Sequence, residues 1–471
     1  MSISNDMIDR RSFLFGTCAL SAVGWQGALQ ASALPDYYLG LMDHVVSRVS
    51  GLAAGCEGGF WFITDLHIKH NNMQSGYLLA ELARRTPLRT ILCGGDLVEA
   101  YGKGYPSDRD AIRFAIDGYR SHWVAQIREA GGRLYTAKGN HDFTVRHSNT
   151  SSADGRRGFT LDGVEARKMI VDEFTESGIV TDDGNAEACY YYFDDAQARI
   201  RYVVADTTDS QRAGDVAWGL VCGMHERQVG WIAERALGSV PDGFDVVVMH
   251  HIPITSLVGE EKEVRTYALF RRLLETYQNR ASIMIGGRSF DFRRAKGRIL
   301  LDVSGHHHGE MVTYQRGILH VTLPCDAAYR DYVDRSKPWC GTLPKKIRGS
   351  AAEQTFDAIQ FDRERNLVHL TRVGGGQDRT ISLAQKVIKS GEHVQMSASR
   401  LKGPIRWGCY DADRLTVSRA SSGSHGKTVA YHQTYAEISD AGVLTALAPG
   451  EVVVVAMDEN YNREMFPAVI V

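Results

Sequence analysis

Five short apolar runs in this chain each end directly on a cluster of histidine, aspartate or asparagine, and that repeated layout constrains the fold more than any other feature. The clusters are Asp65-Leu66-His67, Gly94-Gly95-Asp96, Gly139-Asn140-His141-Asp142, His250-His251 and Gly305-His306-His307-His308. In α/β folds the carboxyl ends of strands are where loops gather to build a site. Each cluster alone has a plain reading, since Asp-x-His and Gly-Gly-Asp suit turns and Asp caps helices readily. Five of them in one layout point to a single polar site assembled from many segments.

The rest of the pattern agrees. Strands are predicted over 60–64, 90–93, 133–137, 188–193, 200–205, 245–249, 299–303, 311–315, 318–323, 356–361 and 367–373, and helices over 73–85, 111–130, 164–176, 225–237 and 265–278. This alternation predicts a layered α/β domain over 58–376, after a lead-in at 34–57. Gly374-Gly375-Gly376 breaks the pattern, and 378–471 reads as short strands only, a small β sandwich. Within it Gly391-Glu392, Trp407, the stretch from Ala436 to Leu447 and the run from Pro449 to Ala456 resemble the bacterial group 2 immunoglobulin-like module.

At the other end, Asp9-Arg10-Arg11-Ser12-Phe13-Leu14, a mildly apolar stretch to Leu29 and Ala31-Ser32-Ala33 resemble a twin-arginine signal peptide over 1–33. That implies export to the periplasm, the cell surface or the medium; an uncleaved basic helix is the alternative. With 54 basic and 56 acidic residues the net charge is only -2, too weak to recruit a nucleic-acid polymer or an acidic membrane surface. Beyond the first thirty or so residues no apolar run reaches the roughly 18–20 residues of a spanning helix. The eight cysteines are scattered without a CxxC, neither a disulfide framework nor a zinc ribbon. Cys93 and Cys222 read as buried thiols, and Cys325 with Cys340 is the pair to test for a disulfide.

Taken together and in this order, the five clusters resemble the calcineurin-like metallophosphoesterase superfamily along residues 58–376. The resemblance implies a four-layer αββα sandwich around a two-metal centre with ligands Asp65, His67, Asp96, Asn140, His250, His306 and His308. Asp65 and His67 stand two apart in what is expected to be an extended segment, so both can reach one ion. Asp96 is the implied bridge between ions that sit ~3.5–4 Å apart in such centres. Asn140, His250 and His306 then serve the second ion, His308 returns to the first, and His307 faces away. His250 is chosen because it directly follows its strand; His251 is the alternative ligand and otherwise a neighbour of substrate, with Asn140, Arg146 and His147. Mixed imidazole and carboxylate ligands suit Mn, Fe, Zn or Co better than Mg or Ca alone.

His141 is the implied catalytic group, stabilising the transition state or protonating the leaving oxygen. Its orienting carboxylate is either Glu99 or Asp142. Glu99 stands where protein phosphatases of the superfamily have Asp, while the plain reading of Asp142 is a cap. Ala100 stands where those phosphatases have an Arg that grips phosphate, and the Gly139-Asn140-His141-Asp142 form looks more like the phosphodiesterase members. The expected function is therefore exported, metal-dependent hydrolysis of a small phosphoester, diesters favoured. A phosphomonoesterase or nucleotidase on the same centre is one alternative. A cell-envelope binding protein with an inactive body is the other. The C-terminal module is expected to pack on the catalytic domain or to contact the envelope. His70 and Asn71 are expected to border the pocket, Gln228 and Trp231 to pack, and 288–298 to be a basic surface loop.

Overall fold

The computed structural model describes residues 34–68, 71–98, 108–142, 163–209, 223–255, 261–327, 346–419 and 427–471. The signal segment, His70, Glu99, Ala100, Arg146, His147, Cys222 and Cys340 lie outside them. The strand Gly58–Ile63, buried from its second residue onward, lies inside the first sheet, third from one edge. It pairs in parallel with Thr90–Cys93, which pairs in parallel with Arg133–Thr136. Parallel neighbours need crossovers, and two helices supply them. The first, Gln74–Arg85, buries Leu78, Leu79 and Leu82 and ends on Arg84 and Arg85, where cations favour the helix dipole. The second, Asp108–Tyr119, continues through a widened π turn at Arg120–Val124 into Ala125–Glu129. On its other side Gly58–Ile63 pairs antiparallel with Thr355–Asp362, itself hairpinned to Leu367–Gly374.

The second sheet runs Met311–Gln315, Ile318–Thr322, Ile299–Ser304, Asp245–Met249, Ile200–Val204, Tyr191–Asp195, Val180–Thr181. The sheets meet through aromatic contacts: Phe60 edge-on to Tyr202 at 5.7 Å, and Tyr135 stacked on Phe193. Outside the second sheet, the helical run Glu226–Trp231 with Ile232–Leu237 and the helix Glu261–Gln278 bury Ile232, Phe270, Leu273 and Leu274 against Val246 and Val248. The result is the expected four-layer αββα sandwich, followed by all-β structure.

Two segments differ from expectation. The lead-in holds a helix, Leu39–Ala53, whose Met42, Val45 and Val49 are buried at helical spacing. Part of the supposed basic loop is a hairpin, Ser282–Ile285 with Arg288–Asp291. Its two-residue turn is Gly286-Gly287, both with positive φ, as such a turn requires.

The C-terminal strands continue the first sheet. Arg379–Ser382 pairs antiparallel with Leu367–Gly374 and in parallel with Arg463–Ile470, which leads on to Gly450–Met457 and Arg406–Asp411. This region has its own core, with Tyr435, Leu444, Val452 and Val454. It also sits on the edge strand Met311–Gln315 of the second sheet: the Tyr410 hydroxyl donates to the Val312 carbonyl at 2.6 Å and Gln315 Nε2 to the Ala412 carbonyl at 3.0 Å. Sheet edges left open are liabilities, and this one is covered. Among the described residues no helix is long and apolar enough to cross a membrane.

Candidate metal centre

Because the central strands are parallel, their carboxyl ends lie side by side and their loops zip together. The amides of Asp65, His67 and Ile68 donate to the carbonyls of Gly95, Asp96 and Leu97 at 2.9, 2.9 and 3.0 Å. The expected extended Asp65–His67 segment is not found. Asp65, His67, Asp96, His306 and His308 all adopt left-handed backbone, with φ between 41° and 67°. Such residues cost on the order of 1 kcal/mol or more each and persist only where surroundings hold them; Asp and His tolerate the region better than branched residues. The loops also press very close. A Cβ on Gly139 would lie 2.2 Å from Asp96 Oδ1, and one on Gly305 would lie 2.4 Å from Asp65 Oδ2, so neither position admits a side chain.

Two groups result, the first buried and the second buried except for the half-buried His306. Asp65, His67, Asp96 and His308 bring one ligand atom each within 4.8 Å of one another, as do Asp96, His251 and His306, with Asp96 common to both. Asn140 Oδ1 joins the second group, 3.0 Å from His251 Nε2 and 2.8 Å from His306 Nδ1. In the first group His67 Nε2 and His308 Nε2 face each other at 3.1 Å, and His308 Nε2 lies 3.0 Å from Asp65 Oδ1. Asp65 Oδ1 is buried without a well-aligned hydrogen bond. Carboxylate oxygens and imidazole nitrogens that converge this way in a largely buried site fit a pair of transition-metal ions.

The surroundings orient these donors. Asp65 Oδ2 accepts from Thr64 Oγ1 at 2.7 Å and from the His306 amide at 3.0 Å. His251 Nδ1 lies 2.8 Å from the Gly94 carbonyl, which can only accept, so Nδ1 carries the proton and Nε2 presents its lone pair to the site. Burial alone would raise the Asp65 carboxyl, but His308 and His251 hold it well below the usual carboxylate range. Burial likewise opposes charge on His251, yet Asp96 and Asp65 raise it to about 9. Without metal, a proton on His251 does part of what a cation would do, and the two compete.

His250 is not at the site. Its Nε2 lies 2.7 Å from Asp302 Oδ1, whose other oxygen lies 2.7 Å from His320 Nδ1, and its ring faces Phe270 edge-on. Strand parity explains the correction: Val246 and Val248 pack on the outer helices, so residue 250 points there too and residue 251 points between the sheets. Asp142 is a second correction. Its carboxylate accepts from the amides of Asp96, Leu97, Val98 and Gly139 at 2.9, 2.6, 3.1 and 2.7 Å. It therefore fastens the third loop to the second and does not orient His141.

His141 anchors its amide to Asp96 Oδ1 at 2.9 Å and sets its ring edge-on to His67. Its Nε2 is 3.9 Å from Asp96 Oδ2 and its side chain is 12% exposed, so it borders the site and is still reachable. His307 joins neither group. Asn71 Nδ2 braces the Leu66 carbonyl and Asp326 Oδ2, both at 2.9 Å. Gln228 packs, bonding the Asp206 amide and carbonyl at 2.8 and 2.9 Å. Cys93 is buried in its strand, and burial pushes its thiol up to about 12, which rules out a nucleophile.

No family profile matches the chain, and no curated protein matches it in sequence. Among solved structures it is similar to a dimetal phosphatase from Danio rerio, at 15% identity and TM-score 0.46, over 70% of this chain and 100% of that one. It is also similar to GAP50, the anchor in the inner membrane complex of Plasmodium, at 12% identity and TM-score 0.37, over 67% of this chain and 84% of that one. A third is the phosphopantetheinyl hydrolase of Mycobacterium tuberculosis, at 14% identity and TM-score 0.28, over 57% and 91%. Likenesses this distant leave the chemistry to the site's own residues.

Proposed function

We propose that the chain is a metal-dependent phosphoester hydrolase. The observation that carries this reading is the Asp96 carboxylate, shared between two donor groups. Asp65, His67 and His308 would hold one ion, Asn140, His251 and His306 the other, with Asp96 between them. Bound there, two such ions supply Lewis acidity toward phosphoryl oxygens and acidify water at neutral pH. The chain's own residues do the rest. The Gly94 carbonyl keeps His251 in the ligating tautomer, Thr64 and the His306 amide fix Asp65, and Asp142 fixes the Asp96 and Asn140 loops relative to each other. His141 stands where it can give a proton to a leaving alkoxide oxygen.

A preference for diesters is supported by Ala100, which removes a phosphate-gripping Arg, and by the Gly-Asn-His-Asp form of the third loop. Export rests on the arginine pair and small-residue cleavage site near the N-terminus, and envelope contact on the immunoglobulin-like texture of 378–471. The test is turnover of bis(p-nitrophenyl) phosphate beside p-nitrophenyl phosphate by protein loaded with Mn2+ or Zn2+. Chelator-sensitive hydrolysis with the diester preferred is expected. Activity that survives complete metal removal would sink the reading, and faster monoester turnover would reverse the substrate preference.

A further inference from the structure

The loop that carries His306 and His308 is fixed at its start by the strand Ile299–Ser304, by the Gly305 amide on the His251 carbonyl at 3.0 Å and by the His306 amide on Asp65. Its far end is Glu310, the residue before the strand Met311–Gln315, whose first residue pairs with Thr322, and the Glu310 side chain adds a buried anchor of its own. It is 3% exposed. Arg372 donates to its Oε2, Arg379 Nη2 lies 3.2 Å from the same oxygen, and Arg463 Nη2 lies 2.9 Å from Oε1. Arg372 and Arg379 also share Asp357 Oδ1, at 3.0 and 2.9 Å. Three buried guanidinium groups thus meet two buried carboxylates. Arg372 and Asp357 come from the central hairpin of the first sheet, Arg379 from the next strand, and Arg463 from the first position of the strand Arg463–Ile470.

Resting on the metal-centre reading above, we infer that the C-terminal strand is part of that centre's support: Arg463, with Arg372 and Arg379, fixes Glu310 and thereby the His306–His308 loop. His306 and His308 are both at positive φ, a conformation that persists only where its surroundings hold it. Between His308 and Glu310 stands only Gly309, so a shift at Glu310 reaches His308 with little to absorb it. Glu310 and Arg463 are positioning residues. They touch no substrate, and they set whether the two histidines stand where an ion needs them. The C-terminal region then belongs to the working enzyme, whatever else it contacts.

The test compares full-length wild type, Glu310→Gln, Arg463→Lys and a control, Arg201→Ala. Arg201 is a buried guanidinium of the second sheet whose partners are Asp194, Ala236 and Ser239. Mn2+ affinity is titrated on each metal-free protein, with thermal midpoints alongside. Glu310→Gln and Arg463→Lys are expected to weaken Mn2+ binding by roughly 10- to 100-fold, the usual cost of disturbing what orients ligands. Their turnover should recover at saturating Mn2+, whereas Arg201→Ala should lower the midpoint and leave Mn2+ affinity alone. Affinity within about twofold of wild type in Glu310→Gln, or an equal loss in Arg201→Ala, overturns the inference. If Glu310→Gln does not fold, Arg463→Lys, which keeps the charge and shortens the reach, decides by the same criterion. A wild type that takes up no Mn2+ or Zn2+ defeats the metal-centre reading itself.

Discussion

Two buried polar clusters lie at either end of the loop from Gly305 to Glu310, and they solve burial in opposite ways. The Arg372, Arg379 and Arg463 knot brings its own cations to Glu310 and Asp357. In the cluster of Asp65, His67, Asp96, His251, His306 and His308, the carboxylates sit among imidazoles, and among the described residues their ion pairs are with histidines. Burying unpaired charge is costly, so the first cluster balances its carboxylates with the chain's own guanidinium groups while the second suits an added cation. A structural cluster and a binding cluster differ here in where the positive charge comes from.

That difference can be broken in order of effect. Asp96→Asn removes the shared carboxylate and should lower diester turnover on the order of a thousandfold, equivalent to about 4 kcal/mol, as read by steady-state rates at saturating Mn2+. Loss of less than tenfold would put Asp96 outside the chemistry. Asp357→Ala leaves three guanidinium groups with one carboxylate and should cost about 3 kcal/mol in urea unfolding, with or without chelator. Wild type should respond to chelator instead: ion at 100 times its Kd contributes about 2.7 kcal/mol, which EDTA should abolish in the same unfolding assay.

The adjacent histidines sharpen the comparison further. His251→Ala should weaken binding of one ion by at least roughly tenfold in a metal titration. His250→Ala should leave metal binding within a few fold and cost about 1–3 kcal/mol of stability, because Asp302 loses one of its two imidazole partners. The reverse result would restore His250 as the ligand.

The smallest effect is a pH dependence away from both clusters. His369 is lowered from its ordinary 6.5 to about 4 by burial and by the charges of Arg48, Arg400 and Arg365. It is neutral in the folded chain while the unfolded chain takes up a proton below 6.5. Its contribution is therefore full above pH 6.5 and is lost as pH falls toward 4. Urea midpoints between pH 7 and 4.5 should fall less steeply in His369→Gln than in wild type; equal slopes would show that another group carries the acid sensitivity.

Much of this was legible in the sequence, because most of the expected ligands directly follow buried apolar runs that only strands explain. The strands at 90–93, 245–249 and 311–315 match the structure residue for residue. His250 against His251 was not legible, because Val246 to Met249 is apolar on both faces and only the packing of Val246 and Val248 on the outer helices shows which parity points to the site. The left-handed turns at Asp65 and His67 were hidden, since a local Asp-x-His pattern does not report the neighbouring loop that imposes them. The knot was equally hidden: Glu310, Arg372 and Arg463 acquire meaning only once strands far apart in sequence share one sheet. The lead-in helix was missed for a smaller reason, Met42, Val45 and Val49 being a short stripe beside a targeting segment.

The placement of Gly58–Ile63 inside the first sheet has a consequence in time. Its antiparallel partner, Thr355–Asp362, and the strand that closes the knot, Arg463–Ile470, are made long after it. At roughly 5–20 residues per second, about 15 to 60 seconds of synthesis separate the two halves of that central pair. For most of that interval Asp65, His67 and Asp96 exist without His306 and His308. A ribosome halted before residue 306 would release a chain that carries only the first part of the candidate centre.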